Sequence, residues 1–120
     1  MSIRQFLALG DQFCSSLTVH HGIEERYIFP VLAERMPSFK DQEHLKKQHE
    51  GIHAGLDVFE KYLKDCRSGE KELRLRDEMK GIMDTFGEVL WKHLDDEVEE
   101  LKAENMRKFW TAKEVQAIPF

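Results

Sequence analysis

Apolar residues recur along this chain at steps of three and four, the period of an α-helix packed on one face. Alternating runs of the kind a half-buried strand needs never exceed a few residues, and β-branched residues are sparse. The pattern predicts three long helices. The first covers about 3–36, with Phe6, Phe13, Leu17, Ile28, Val31 and Leu32 on its apolar face. Pro30 falls inside it, where the missing N–H and the ring's clash with the preceding turn predict a kink or a restarted turn; Pro37 then stops it. Ser38 with Asp41 resembles a capping box opening the second helix, which runs to about 66 before Arg67-Ser68-Gly69 ends it. Its stripe is Leu45, His49, Ile52, Leu56, Phe59 and Leu63. The third covers about 72–109, with Ile82, Phe86, Val89, His93, Glu97 and Leu101 on one face. Thr111 with Glu114 predicts a cap for one last short turn in a C-terminal tail.

Each stripe is interrupted by polar residues in its own phase. Continuing the first through Phe13 and Leu17 lands on His20, then Glu24, then Ile28. Residues four apart differ by about 40° around a helix and about 6 Å along it, so His20 and Glu24 are expected to point inward together. The same rule pairs His49 with His53 and His93 with Glu97. A lone histidine on an apolar face is most simply a satisfied core residue. A carboxylate there is harder to dismiss, because burying an unpaired charge costs several kcal/mol. Three inward pairs, one per helix, point to a shared partner, with metal-free His–Glu salt bridges as the alternative. His21 and Glu25 repeat the spacing one residue round the helix, as rivals of His20 and Glu24 or as their outer partners. His44 is off the stripe and expected in solvent. In the run from Asp95 to Glu100 only Glu97 has the inward phase.

Composition narrows the field. At 120 residues the chain suits a single domain, 1–120, with one modest core. Hydrophobic residues at 41% and charged residues at 34% fit a folded helical protein and argue against a disordered one. A net charge of −5 leaves no nucleic-acid footprint. The broken apolar run over 1–11 is too short for a signal peptide or membrane span, so no membrane association is expected. Cys14 and Cys66 form no motif, which favours a reducing, cytoplasmic setting.

Imidazoles mixed with carboxylates and no thiolate suit iron, manganese or zinc better than calcium or magnesium. Six candidates exceed the four ligands of a closed structural zinc site and suggest two metals bridged by carboxylates. Glu-x-x-His motifs mark ferritin-like di-iron bundles; here the order is reversed and the spacing is four.

The stretches "HHGIEERYIFP", "QHEGIHAGLDVFEKYL" and "LWKHLDDEVEEL" together resemble the second, third and fourth helices of the hemerythrin-like (HHE cation-binding) family. "MPSFK" and "MRKFWTAKE" look most like its fungal members. The resemblance implies an all-α, up-down hemerythrin-like bundle of antiparallel helices around a non-heme di-iron centre, with zinc or manganese as alternatives. It implies metal ligation by His20, Glu24, His49, His53, His93 and Glu97, with Glu24 and Glu97 bridging, and assigns no catalytic residue. The expected role is binding oxygen or nitric oxide, or handling or sensing iron. A di-iron oxidase or peroxidase is the enzymatic alternative, and a metal-free helical interaction module the other. Family members also have a first helix with one more histidine ligand, for which residues 1–120 hold no counterpart. An apolar groove bordered by Leu17, Leu56 and Phe86 is therefore expected, covered by a second copy in a homodimer or by collapse of the tail.

Overall fold

The computed structural model describes residues 1–120, apart from the side chain of Gln42. It is an all-α bundle with no strand among the described residues. Helix α1 spans Ile3–Ile23, α2 Phe29–Leu32, α3 Gln42–Ser68, α4 Lys80–Leu101, α5 Ala103–Met106 and α6 Ala112–Gln116. Ser2 opens α1 with a reciprocal cap: its Oγ accepts from the Gln5 N–H at 3.1 Å, while Gln5 Oε1 accepts from the Ser2 N–H at 2.8 Å. Asp41, rather than Ser38, caps α3, accepting from the His44 N–H at 3.1 Å. Gly69, with φ 81°, ends α3 in the left-handed region that glycine occupies without penalty.

The first helix departs from expectation one turn before the proline. Residues Glu24–Ile28 form a π-helical turn, in which the Phe29 N–H reaches back five residues to the Glu24 carbonyl. Pro30 has no N–H to give to the Arg26 carbonyl and its ring crowds that oxygen, so a wider turn relieves the ladder here. The helix ends at Leu32, short of position 36. The third long helix also ends early, at Leu101. Lys102 is extended at ψ 145°, and Asn105 Nδ2 donates to the freed Glu100 carbonyl at 2.7 Å.

Helix α3 runs antiparallel to both α1 and α4 and packs against each. Every member of its expected stripe is buried: Leu45, His49, Ile52, Leu56, Phe59 and Leu63. One apolar cluster joins Leu7, Cys14, Ile52, Leu56, Phe59, Leu63, Phe86 and Leu90. A second joins Ile28, Phe29, Leu32, Met36, Phe39, Leu45, Met106, Trp110 and Ile118 at the other end. The polar pairs fall between these clusters on all three helices, as one layer across the bundle. Leu56 and Phe86, expected to border a groove, are instead inside the first cluster, because α3 and α4 approach closely there.

The tail folds back onto the second cluster. Arg35 fastens it: its guanidinium lies 4.6 Å from the Trp110 ring centroid, donates to the Phe109 carbonyl at 3.2 Å and pairs with Glu114 at 2.5 Å. The Arg35 pairing, helped by the Thr111 N–H, holds the Glu114 carboxyl down to about 2 from 4.5. A lowered carboxyl stabilises the docked tail above the unfolded value and ceases to do so as pH falls through the folded one. In a Trp91→Phe background, Trp110 emission is therefore expected to shift to the red as pH falls from about 4.5 towards about 2. Arg35→Ala should produce that shift already at neutral pH. Unchanged emission in Arg35→Ala would show that the clamp does not hold the tail.

Candidate metal centre

Four buried side chains meet in the polar layer. His21, Glu24, His49 and His93 each bring one potential ligand atom to within 4.8 Å of the others. A second group, His20, Glu24 and Glu97, is equally close and shares Glu24 with the first. The shared carboxylate sits on the π-helical turn, with one oxygen 2.5 Å from His20 Nε2 and the other 3.2 Å from His49 Nε2. His49 Nε2 is 3.0 Å from His93 Nε2, which is 3.0 Å from Glu97 Oε1.

The helix phases explain who arrives. The buried face of α1 runs Leu7, Cys14, His21, one residue round from the expected Phe13–Leu17–His20 line. Helix α1 packs on α3, and that contact selects its face. Phe13 and His20 are turned toward the open side of the bundle, where Phe13 is exposed and the His20 side chain is 57% accessible. His21 takes the interior position, stacked on His49 with ring centroids 3.8 Å apart and planes at 9°. His53 is half-buried and lies behind it, its Nε2 3.1 Å from His21 Nδ1. It belongs to neither close group, whereas His44 is exposed. Thus the structure brings His20, Glu24, His49, His93 and Glu97 together, sets His53 one contact away, and adds His21. Glu25 reaches His49 Nδ1 at 3.0 Å and Gln48 reaches His93 Nδ1 at 3.0 Å. Nothing in the helical pattern marks Gln48, because its partner is on another helix.

Burial and neighbours set the charges. Burial, followed by the surrounding imidazoles of His49, His53 and His93, holds the His21 imidazolium down to about 3. Its stabilising contribution is present above the ordinary 6.5 and is lost as pH falls towards about 3. For His49, burial acts downward, but hydrogen bonds with Glu24 and Glu25 outweigh it and raise the value. Burial pushes the Glu24 carboxyl up, yet the His49 hydrogen bond and the His20 charge together hold it below the usual range.

The donor set fits a cation. Glu24 Oε2 and Glu97 Oε1 are buried, and the polar atoms beside them are imidazole nitrogens, His49 Nε2 at 3.2 Å and His93 Nε2 at 3.0 Å, which pair with them only when protonated. With neutral imidazoles whose Nε2 carries no proton, both oxygens are left unpaired, at a cost of about 1–3 kcal/mol each or more when charged. Two such oxygens beside two converging imidazole nitrogens form a concentration of lone pairs that a metal ion would satisfy. With imidazole and carboxylate donors and no thiolate, the set suits iron, manganese or zinc.

Two openings reach the layer. One, of about 440 Å³, lies between α1 and α3, with Thr18, Glu25, Lys46, Glu50, His21 and His53 in its walls. The other, of about 430 Å³, is apolar and faces the His20–Glu24–Glu97 group, with Ile23, Ile28, Phe29, Leu94, Leu101 and Phe120 in its walls.

The family model described as hemerythrin HHE cation binding domain matches residues 2–104. The chain is also similar to the "Dimeric xanthone biosynthesis cluster protein R11" of Cryptosporiopsis sp. (strain 8999), at 29% identity over 105 residues. That alignment covers 82% of this chain and 39% of the relative, so the chain spans well under half of the relative's length. No solved structure matches it.

Proposed function

Since the chain belongs to the hemerythrin HHE cation-binding domain family, we propose that its polar layer holds a non-heme di-iron centre that binds oxygen or a related diatomic ligand, or takes up iron. The observation that carries this is the convergence of two buried carboxylate oxygens, Glu24 Oε2 and Glu97 Oε1, on a cluster of imidazole nitrogens. His21, His49, His93 and Glu24 would hold one ion, and His20, Glu24 and Glu97 the other, with Glu24 between them. A bound iron pair supplies open coordination positions for a small ligand. The imidazoles must be neutral to ligate: the depressed His21 value keeps that ring so, while a metal at His49 would displace the proton that Glu24 and Glu25 favour there.

The second group offers three protein ligands and faces the apolar cavity, so the small ligand would approach there. His20→Ala is expected to lower the metal content by about half, leaving the first group loaded, because His20 touches only the second. Full loading of that variant, measured by elemental analysis, would place the second ion elsewhere. An enzymatic reading is favoured by the same apolar cavity, which could seat an organic substrate beside the centre, and by the relative's naming for a biosynthesis cluster. Turnover of peroxide or of a phenolic substrate by the iron-loaded protein would select it.

Among the described residues no helix is long and apolar enough to cross a membrane, and Cys14 and Cys66 are free thiols, which supports a cytoplasmic setting. The open side between α1 and α4, with Phe13, Ile23 and Met83 exposed, would be covered by a second copy in a homodimer. Light scattering across a concentration series checks this. The test of the function itself is aerobic reconstitution with ferrous ion, elemental analysis and a visible spectrum. Two irons per chain and near-ultraviolet charge-transfer bands are expected; a chain that retains no iron, manganese or zinc would overturn the proposal.

A further inference from the structure

We infer that Glu25 and Gln48 are positioning residues of the metal centre, each holding the Nδ1 proton of one imidazole so that its Nε2 lone pair faces the metal position. The inference rests on the metal-binding reading above and extends it to two residues outside the candidate ligand set. An ionised carboxylate can only accept, so Glu25 Oε1, 3.0 Å from His49 Nδ1, requires the proton on Nδ1. The Gln48 amide oxygen, 3.0 Å from His93 Nδ1, requires the same of His93. In the neutral imidazole that ligates a metal, a proton held on Nδ1 leaves Nε2 with its lone pair free. The two Nε2 atoms are 3.0 Å apart, and both buried carboxylate oxygens lie beside them.

The local backbone makes the Glu25 contact possible. Successive residues of a regular helix diverge by about 100°, so neighbouring carboxylates do not normally serve one ring. Here Glu24 and Glu25 open the π-helical turn and reach opposite edges of the His49 imidazole, Nε2 at 3.2 Å and Nδ1 at 3.0 Å. On α3, Gln48 precedes His49 and spans to α4 to fix His93. The two contacts thus tie all three long helices at the height of the centre. Outer partners of this kind set ring tautomer and orientation, and their loss commonly costs roughly 10–100-fold in metal affinity.

Zinc, which is diamagnetic, is the probe. Its affinity is measured by chelator competition for the wild-type chain and for Glu25→Ala, Glu25→Gln and Gln48→Ala. Nitrogen-15 imidazole spectra of the zinc-loaded proteins report which ring nitrogen ligates. The wild type should ligate through Nε2 of His49 and His93, with both Nδ1 protons slow to exchange. Glu25→Ala and Gln48→Ala should each lose roughly tenfold or more in affinity, with the corresponding Nδ1 proton exchanging fast. Glu25→Gln, which keeps an oxygen acceptor, should recover most of the loss. The two alanine variants lie on different helices, so misfolding of either, seen by circular dichroism, leaves the other decisive. Zinc binding within twofold of wild type in both, or ligation through Nδ1, overturns the inference alone. A wild-type chain that binds no zinc overturns the metal reading and this inference with it.

Discussion

His93→Ala is expected to empty the first ligand group and to remove the metal-dependent part of the protein's stability in the same step. His93 is 2% exposed and contacts three groups at once: Gln48 through Nδ1, and His49 and Glu97 through Nε2. Its loss leaves a cavity in the polar layer and withdraws the polar partner nearest Glu97 Oε1, at a cost of about 3 kcal/mol in the metal-free protein. Metal bound to the folded chain alone adds about 4 kcal/mol when present at a thousand times its dissociation constant. The wild type should show that increment on loading and the variant should not. Thermal unfolding with and without metal, beside elemental analysis, measures both parts. His44→Ala is the comparison: its side chain is exposed and belongs to neither group, so metal content and melting temperature should both stay at wild-type values. Equal losses in His44→Ala and His93→Ala would mean that the ligands lie elsewhere.

Gly55→Ala is expected to destabilise the fold by about 3 kcal/mol, against the helix propensity gain of up to about 1 kcal/mol that the same change ordinarily brings. A Cβ at Gly55 would stand 2.3 Å from the Phe86 Cβ, nearest to α4's own backbone. A side-chain tip could swing aside from such a contact, but a Cβ moves only with its helix. Phe86 is buried at 2% and packed against Phe59, so α3 and α4 must separate. The separation would reach the metal layer. His49 lies six residues from Gly55, about 9 Å along α3, and the 3.0 Å spacing of His49 Nε2 from His93 Nε2 depends on how closely the two helices run. Weaker metal binding should therefore accompany the lower melting temperature. Gly51→Ala on the same helix meets nothing within 4 Å and should be neutral or stabilising by up to about 1 kcal/mol. If Gly55→Ala proves as benign as Gly51→Ala, the close approach of α3 and α4 does not set the site.

The helical class, the three long segments and the placing of a histidine or carboxylate in each stripe follow from local order alone. Period-3.6 patterning is a property of consecutive residues, and it sufficed for α3, whose whole stripe from Leu45 to Leu63 is buried because that helix is flanked on two sides. The pairs His20–Glu24 and His93–Glu97 are equally local, since side chains four apart on a helix meet whatever the helix packs against.

What the tertiary structure decided is which face of α1 turns inward. Helix α1 carries two adjacent apolar lines, Phe6–Phe13–Leu17 and Leu7–Cys14, and periodicity fits both. Packing on α3 selects the second, and with it His21 over His20 for the buried position. Glu24 is buried although His20, four residues earlier, is exposed, because it lies only three residues from the interior His21 and its carboxylate reaches in to His49 Nε2 at 3.2 Å. The contacts of Glu25 with His49 and of Gln48 with His93 join residues 24 and 45 positions apart. No local pattern encodes such pairs; they exist because antiparallel packing brings the C-terminal parts of α1 and α4 to the height of the N-terminal part of α3, and only the packed bundle fixes that height.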